Sequence, residues 1–171
     1  MRKNETYHYY VEGEDDKKVI NTLKSDLNYI ESGKVDTFNV IQQRFTDARI
    51  RPLKQGVIVV LVYDTDVETN TEILKYNVEF LKSKNAIRDV VCIPQIKNLE
   101  DELVRACKIK HIGELTNSQT TTDYKRDIIS CTNLGARLTR CEFDISKFWT
   151  RTPANVFRQF GNDADKIKKT K

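Results

Sequence analysis

The stretch GVIVVLVYDTDVETN, residues 56–70, limits what this chain can become more than any other. Six consecutive apolar residues, Val57 to Val62, run through Tyr63 into Asp64, Thr65 and Asp66, with Glu68 two places further on. A short β-branched run without alternation predicts a strand over residues 57–63 that is buried on both faces. Such a strand belongs in a parallel sheet covered by helices on two sides. The same strand ends in a knot of acids. Crowded carboxylates repel and hold on to their protons unless a cation gathers them, so the cluster implies a compensating positive charge.

The rest of the first two-thirds alternates strand and helix patterns. TYHYYVEG is aromatic and β-branched and stops at Gly13, which predicts a first strand. In EDDKKVINTLKSDL, Val19, Ile20, Leu23 and Leu27 share one helical face, and Glu14, Asp15 and Asp16 suit the positive helix start. VDTFNVI predicts the second strand, and QQRFTDARIR a short helix that ends before Pro52. Thr69 or Thr71 is the expected cap of a helix over NTEILKYNVEFLKSK. DVVCIPQI is a fourth strand expected to end or fray at Pro94. NLEDELVRACK is a helix capped by Asn98, with Leu99, Leu103, Val104 and Cys107 inward. The expected fold is α/β: a three-layer sandwich around a central, mostly parallel four-stranded sheet with right-handed crossovers. Beyond residue 110 the pattern turns helical or irregular. Thr152 and Pro153 are the expected cap and first residue of a last short helix, and Phe148, Trp149, Phe157 and Phe160 pack this extension onto the sheet.

In open α/β sheets, ligands bind beyond the carboxyl ends of the parallel strands. Glu12 closes the first strand there, and Asp64 and Asp66 close the third. Asp16 lies four residues after Glu12, one turn into the following helix, and Glu68 extends the acidic pattern as a residue behind the ligands. Hard oxygen donors without neighbouring His or Cys select Mg²⁺ or Mn²⁺. The alternative roles are structural: Asx-type turn bonding for Asp64 and Asp66, and helix-dipole acids for Glu14, Asp15 and Asp16.

The pairing of VEGEDDKKVI at residues 11–20 with VVLVYDTD at 59–66 resembles the Toprim domain family. That family is the metal-binding fold of topoisomerases, bacterial primases, OLD-type nucleases and a small ribosomal-RNA maturation ribonuclease. Its signature is a Glu-Gly after the first strand and a DxD after the third. The resemblance covers roughly residues 5–110. It implies a catalytic domain over 1–110 and a basic, mainly helical extension over 111–171. It implies Glu12 as metal ligand or general acid/base, Asp64 and Asp66 as Mg²⁺ ligands, and Asp16, the acid that follows the Glu-Gly glutamate in OLD-type enzymes, as a further metal ligand. Those enzymes also use a lysine near the end of the next strand, which implies Lys97, and Glu100 and Asp101 on the adjoining helix start would reach a second metal. The chain carries no GxxxxGK[ST] ATPase motif and has no room for strand-passage or primase zinc-binding domains. It therefore resembles a small stand-alone Toprim protein, OLD-nuclease-like or maturation-ribonuclease-like. The implied activity is a Mg²⁺- or Mn²⁺-dependent nuclease in phage defence or RNA processing, with an ATPase or other defence protein encoded nearby as a possible partner.

Charge agrees with a polyanionic ligand. Residues 125–171 carry 11 Lys and Arg against 5 Asp and Glu, a net +6, whereas the preceding residues are net −2. Arg137, Arg140, Arg151 and Arg158 are candidate phosphate contacts, with a solvated tail as the alternative. His8 and His111 are read as structural. Cys92, Cys107, Cys131 and Cys141 form no CxxC pair, so reduced thiols are expected rather than a zinc site. No apolar run approaches bilayer length and the first residues lack a signal-peptide apolar core, so no membrane partner and a cytoplasmic location are expected. Two other functions compete: a non-catalytic nucleic-acid or protein binding module, and a haloacid-dehalogenase-like phosphatase. The latter also places a DxD after an apolar strand, but it wants Thr or Val where Glu68 stands.

Overall fold

The structure, a computed structural model, describes residues 4–66 and 70–169. Four strands, β1 (Tyr7–Val11), β2 (Gly33–Thr37), β3 (Val57–Asp64) and β4 (Ile87–Gln95), form one sheet in the order β2-β1-β3-β4. Every pairing is parallel. The helices are α1 (Glu14–Asn21), α2 (Asp47–Ile50), α3 (Glu72–Lys82), α4 (Leu99–Ala106), α5 (Gly113–Thr116), α6 (Thr121–Ser130) and α7 (Leu134–Arg140). The fold is α/β, with helices on both sheet faces.

Alternation along the strands divides the core in two. Tyr7, Tyr9, Val11, Val35, Ile58, Val60, Val62, Val91 and Ile93 face one side, where α1, α4 and the helices after residue 110 cover them. Tyr10, Val57, Val59, Leu61, Tyr63, Val90 and Cys92 face the other, under Phe38, Phe45, Leu74, Val78, Leu81 and Phe157. β3 is the central strand, and each of its residues from Val57 to Tyr63 is buried. The double coverage explains why its sequence does not alternate.

The strand order creates a switch point. The chain leaves β1 over one face, through α1, to reach β2 on one side. It then returns over the other face to β3 on the opposite side of β1. The connections therefore diverge between β1 and β3 and open a crevice at the carboxyl ends of those two strands. Gly33 starts β2 where a Cβ would stand 2.3 Å from the Tyr7 carbonyl oxygen, so the approach of β2 to β1 requires glycine.

Several expected elements differ in extent. Pro94 does not end β4: the strand continues to Gln95, with Pro94 paired to Tyr63. β4 is an edge strand. The Cys92 N–H and carbonyl two residues earlier point outward to Asp163, so the N–H that proline lacks is on the outer side. β2 stops at Thr37 because its partner β1 stops at Val11, whose carbonyl accepts the Phe38 N–H in the final bond. The expected helix over 42–51 shrinks to α2, because Asn77 on α3 binds the loop before it. Its side chain accepts the Phe45 N–H at 2.8 Å and donates to the Val40 and Gln43 carbonyls. The helix after Gly13 widens into a π-helical turn over Thr22–Asp26, where the Thr22 hydroxyl donates to the Lys18 carbonyl. Asn70, rather than the Thr71 hydroxyl, accepts the Glu72 N–H at the start of α3, and Thr69 lies outside the described residues. Pro153 is not a first helical residue, since the 3-10 turn spans Asn155–Phe160.

The chain after residue 110 shares the main core. Leu115, Tyr124, Ile128, Leu134, Leu138, Phe148, Trp149 and Ile167 join the cluster that covers the first sheet face. Phe157 packs on the opposite face, stacked on Tyr63, and Phe160 is partly buried beside it. All four cysteines are free. Among the described residues no helix is long and apolar enough to cross a membrane.

Candidate functional site

Glu12 follows β1, Asp64 ends β3 and Gln95 ends β4, so parallel pairing brings all three to the same edge of the sheet. The β3–β4 register sets Asp64 directly opposite Gln95. Thr65 fastens the turn that follows: its N–H reaches the Lys97 carbonyl at 2.8 Å and its hydroxyl donates to the Gln95 carbonyl at 2.9 Å. The Asp64-Thr65-Asp66 segment is thereby held at the crevice between β1 and β3.

Glu12 and Asp64 meet there. Their carboxyl groups lie close enough that each shifts the other's protonation. Two carboxyls so placed disfavour ionising together, and the surroundings add to that. Burial first, then the charges of Asp16 and Asp66, push Glu12 up to about 7. Burial and the neighbouring Glu12 push Asp64 up to about 8. Asp16, on the first turn of α1, is buried and also raised to about 7, by burial and then by Asp15 and Asp64. No Lys, Arg or His forms an ion pair with Glu12, Asp16, Asp64 or Asp66 among the described residues.

Amide groups supply what hydrogen bonding there is. Gln95 Nε2 donates to Asp64 Oδ1 at 2.8 Å and to Asp16 Oδ1 at 2.9 Å. The Gly13 N–H donates to Asp16 Oδ2 at 3.1 Å. Both oxygens of Asp16 are thus engaged inside the protein, which makes it a brace for the cluster in this arrangement. The glycine of the Glu-Gly pair has φ −140°, open to any residue, so its part here is the N–H it offers to Asp16.

Asp64 and Asp66 stand between two cavities. One, of about 390 Å³, is lined by Glu12, Asn39, Gln42, Asn70 and Ile73 besides the two aspartates. The other, of about 460 Å³, lies between the starts of α4 and α6 and is lined by Asn98, Glu100, Asp101, Lys110, His111 and Lys125. Glu100 lies 3.7 Å from the Lys125 ammonium, and its charge, with those of Asp15, Asp64 and Asp16, raises the Lys125 pKa.

The sequence candidates therefore separate. Glu12, Asp16, Asp64 and Asp66 come together, and Glu100 and Asp101 border the second cavity. Lys97 is exposed and lines neither cavity, and it reaches the site only through its carbonyl bond to Thr65. Glu68 lies outside the described residues. Arg140, Arg151 and Arg158 are exposed, while Arg137 donates to Asn133 at 3.0 Å. His8 is bonded to Asp36 at 2.7 Å and stacked on Tyr10, away from the acids. His111, read from sequence as structural, is exposed and borders the second cavity. Gln95, Lys110 and Lys125 escaped notice. Gln95 could have been found by aligning the ends of two consecutive parallel strands, whereas Lys125 carries no local signal.

The donor set consists of hard oxygens, which suits Mg²⁺ or Mn²⁺. Among the described residues no three acids, His or Cys stand as a ready cage. Glu12 and Asp64 stand beside each other, and a cation bound there would compensate their charge. No family model, curated protein or solved structure matches this chain.

Proposed function

We propose that this chain is a metal-dependent phosphodiesterase acting on nucleic acid, a small stand-alone Toprim-like nuclease. The observation that carries the reading is the Glu12–Asp64 carboxyl pair at the sheet's switch point, with Asp66 beside it and, among the described residues, no cation ion-paired to it. Glu12, Asp64 and Asp66 would hold one Mg²⁺ or Mn²⁺, and Asp16 would brace them. Bound there, the ion supplies Lewis-acid polarisation of the phosphodiester and a lowered pKa for water.

The chain's own groups do the remaining work. Glu12 takes the proton of the attacking water as its oxygen bonds to phosphorus. The phosphorus–oxygen bond on the far side breaks, and the leaving oxygen is protonated from solvent. Lys110 and Lys125 border the cavity beside Asp66 and offer positive charge to the flanking phosphates. Arg140, Arg151 and Arg158 add charge without sequence preference.

The test is incubation of the full chain with labelled single- and double-stranded DNA and RNA under Mg²⁺, Mn²⁺ or chelator, beside Asp64→Ala and Asp66→Asn. Cleavage that needs the metal and disappears in Asp64→Ala is the expected result. Cleavage unchanged in Asp64→Ala overturns the assignment. Tight binding indifferent to chelator, without cleavage, would identify a binding module instead.

A further inference from the structure

Gln95 is 1% exposed, and its amide is hydrogen-bonded to three groups from three parts of the chain. Nε2 donates to Asp16 and Asp64, and Oε1 accepts the indole N–H of Trp149 at 3.1 Å. The two ends of an amide are alike in shape, so hydrogen bonding must choose between them. An indole N–H only donates, so it selects Oε1 and leaves the NH₂ end for the acids. Trp149 is itself held firmly. Its backbone is left-handed at φ 55°, an unusual conformation for a bulky residue. Its N–H donates to Glu102 Oε2 at 3.1 Å, and its carbonyl accepts Asn162 Nδ2 at 3.0 Å. A strained conformation persists only where its surroundings over-determine it. Here those surroundings deliver the indole to Gln95.

We infer that Gln95 is the positioning residue of the acidic cluster, oriented by Trp149, and that the C-terminal extension thereby sets the carboxylate of Asp64. The inference rests on the metal-binding reading of the cluster. Gln95 touches neither substrate nor ion; it holds Asp64 on one side while Glu12 meets it on the other. The pull is directional, because an NH₂ group shared by two carboxylates fixes one oxygen of each.

Full-length protein is tested as wild type, Gln95→Met, Trp149→Phe, Asp64→Asn and the double variant Gln95→Met/Asp64→Asn. Mn²⁺ affinity is read by electron paramagnetic resonance. The indole N–H is read by ¹H–¹⁵N NMR, where the single tryptophan gives one resonance. Loss of a residue behind the ligands commonly costs about 10- to 100-fold in metal affinity, and Gln95→Met is expected in that range. Trp149→Phe keeps most of the ring volume and should weaken Mn²⁺ in the same direction. Asp64→Asn should displace the indole resonance when Gln95 is present and leave it in place in the Gln95→Met background.

An unchanged Mn²⁺ affinity in Gln95→Met, with binding lost in Asp64→Asn, overturns the positioning role and leaves the metal reading intact. If the wild type takes no Mn²⁺, the metal reading falls and the NMR arm decides alone. A displacement relayed only through Gln95 supports the positioning role, and a displacement that ignores Gln95 overturns it.

Discussion

Glu102 and the Glu12–Asp64 pair are two answers to one problem, a carboxylate withdrawn from water near the carboxyl edge of the sheet. Glu102, on α4, is wholly buried. It accepts the Ile96 N–H at 3.0 Å and the Trp149 N–H at 3.1 Å, and lies 2.8 Å from the Arg105 guanidinium. Arg105 in turn donates to the Ile96 carbonyl. Glu12 and Asp64 are less buried, yet among the described residues the pair's hydrogen bond comes from the Gln95 amide, and no cation is ion-paired to either. Burial therefore does not by itself separate the two kinds of acid. Glu102 has its charge answered by the protein and serves the fold. Glu12 and Asp64 are left to retain a proton, and they suit a charge that arrives from outside.

The largest effect that would break this contrast is on stability. Glu102→Ala leaves Arg105 partly buried without its partner and strips two backbone N–H groups. We expect a loss of about 3–5 kcal/mol in denaturant unfolding. Glu12→Gln removes one of two repelling acids and should leave stability unchanged or higher at pH 8. Equal losses in the two variants would erase the distinction.

The next effect comes from metal. At a hundredfold excess over its dissociation constant, Mg²⁺ should stabilise the native state by about 2.7 kcal/mol if it binds only the folded chain. A thermal scan should show the gain in wild type and in Lys97→Ala, and none in Asp64→Asn. A similar gain in Asp64→Asn would move the ion elsewhere.

Titration sharpens the same contrast at smaller scale. The raised carboxyls hold protons in the native state that the unfolded chain has already released. In metal-free buffer their contribution to stability is complete below the ordinary carboxylate range. It is lost as pH rises through about 7 for Glu12 and Asp16 and about 8 for Asp64. The slope is on the order of 1 kcal/mol per pH unit for each proton retained. Denaturant midpoints from pH 5 to 9 should fall with pH in wild type and flatten in Asp64→Asn. A profile that rises over this window would contradict the raised carboxyls.

Lys97→Ala should change stability least, within about 0.5 kcal/mol, since its side chain is exposed. Cleavage assays on that variant decide whether the lysine implied by the family resemblance acts here. Full activity would remove it from the site and leave Lys125 as the nearer cation to test.

Much of this architecture was legible one element at a time. The apolar run at Val57–Val62 announced a doubly covered strand because its lack of alternation is local information. The acids at Asp64 and Asp66 were placed at its carboxyl end for the same reason. Pro94 misled because proline disfavours strands in general, and only the sheet order reveals an edge strand whose Cys92 and Pro94 positions face outward. The helix expected over residues 42–51 is confined to Asp47–Ile50, because Asn77, more than thirty residues later, captures the Phe45 N–H. Val104 was expected inward on α4, but it borders the second cavity and Glu102 takes the buried position instead. An acid is assigned to solvent by any pattern that cannot see Arg105 and Trp149 answering it.

By itself, then, the order of residues determined the strands, their parallel setting and the edge of the sheet where Glu12, Asp64 and Asp66 would collect. Hydrophobic periodicity and the step from apolar to acidic residues act over a few neighbours, so they can be read directly. Tertiary structure alone decided that Glu12 and Asp64 are brought together partly out of water and that Asp16 bonds Gln95 and Gly13 through its two oxygens. It alone decided that a tryptophan 54 residues beyond Gln95 orients that amide. Hydrogen-bond direction and desolvation depend on which distant groups are brought within about 3 Å of each other, and that proximity is a property of the packed chain.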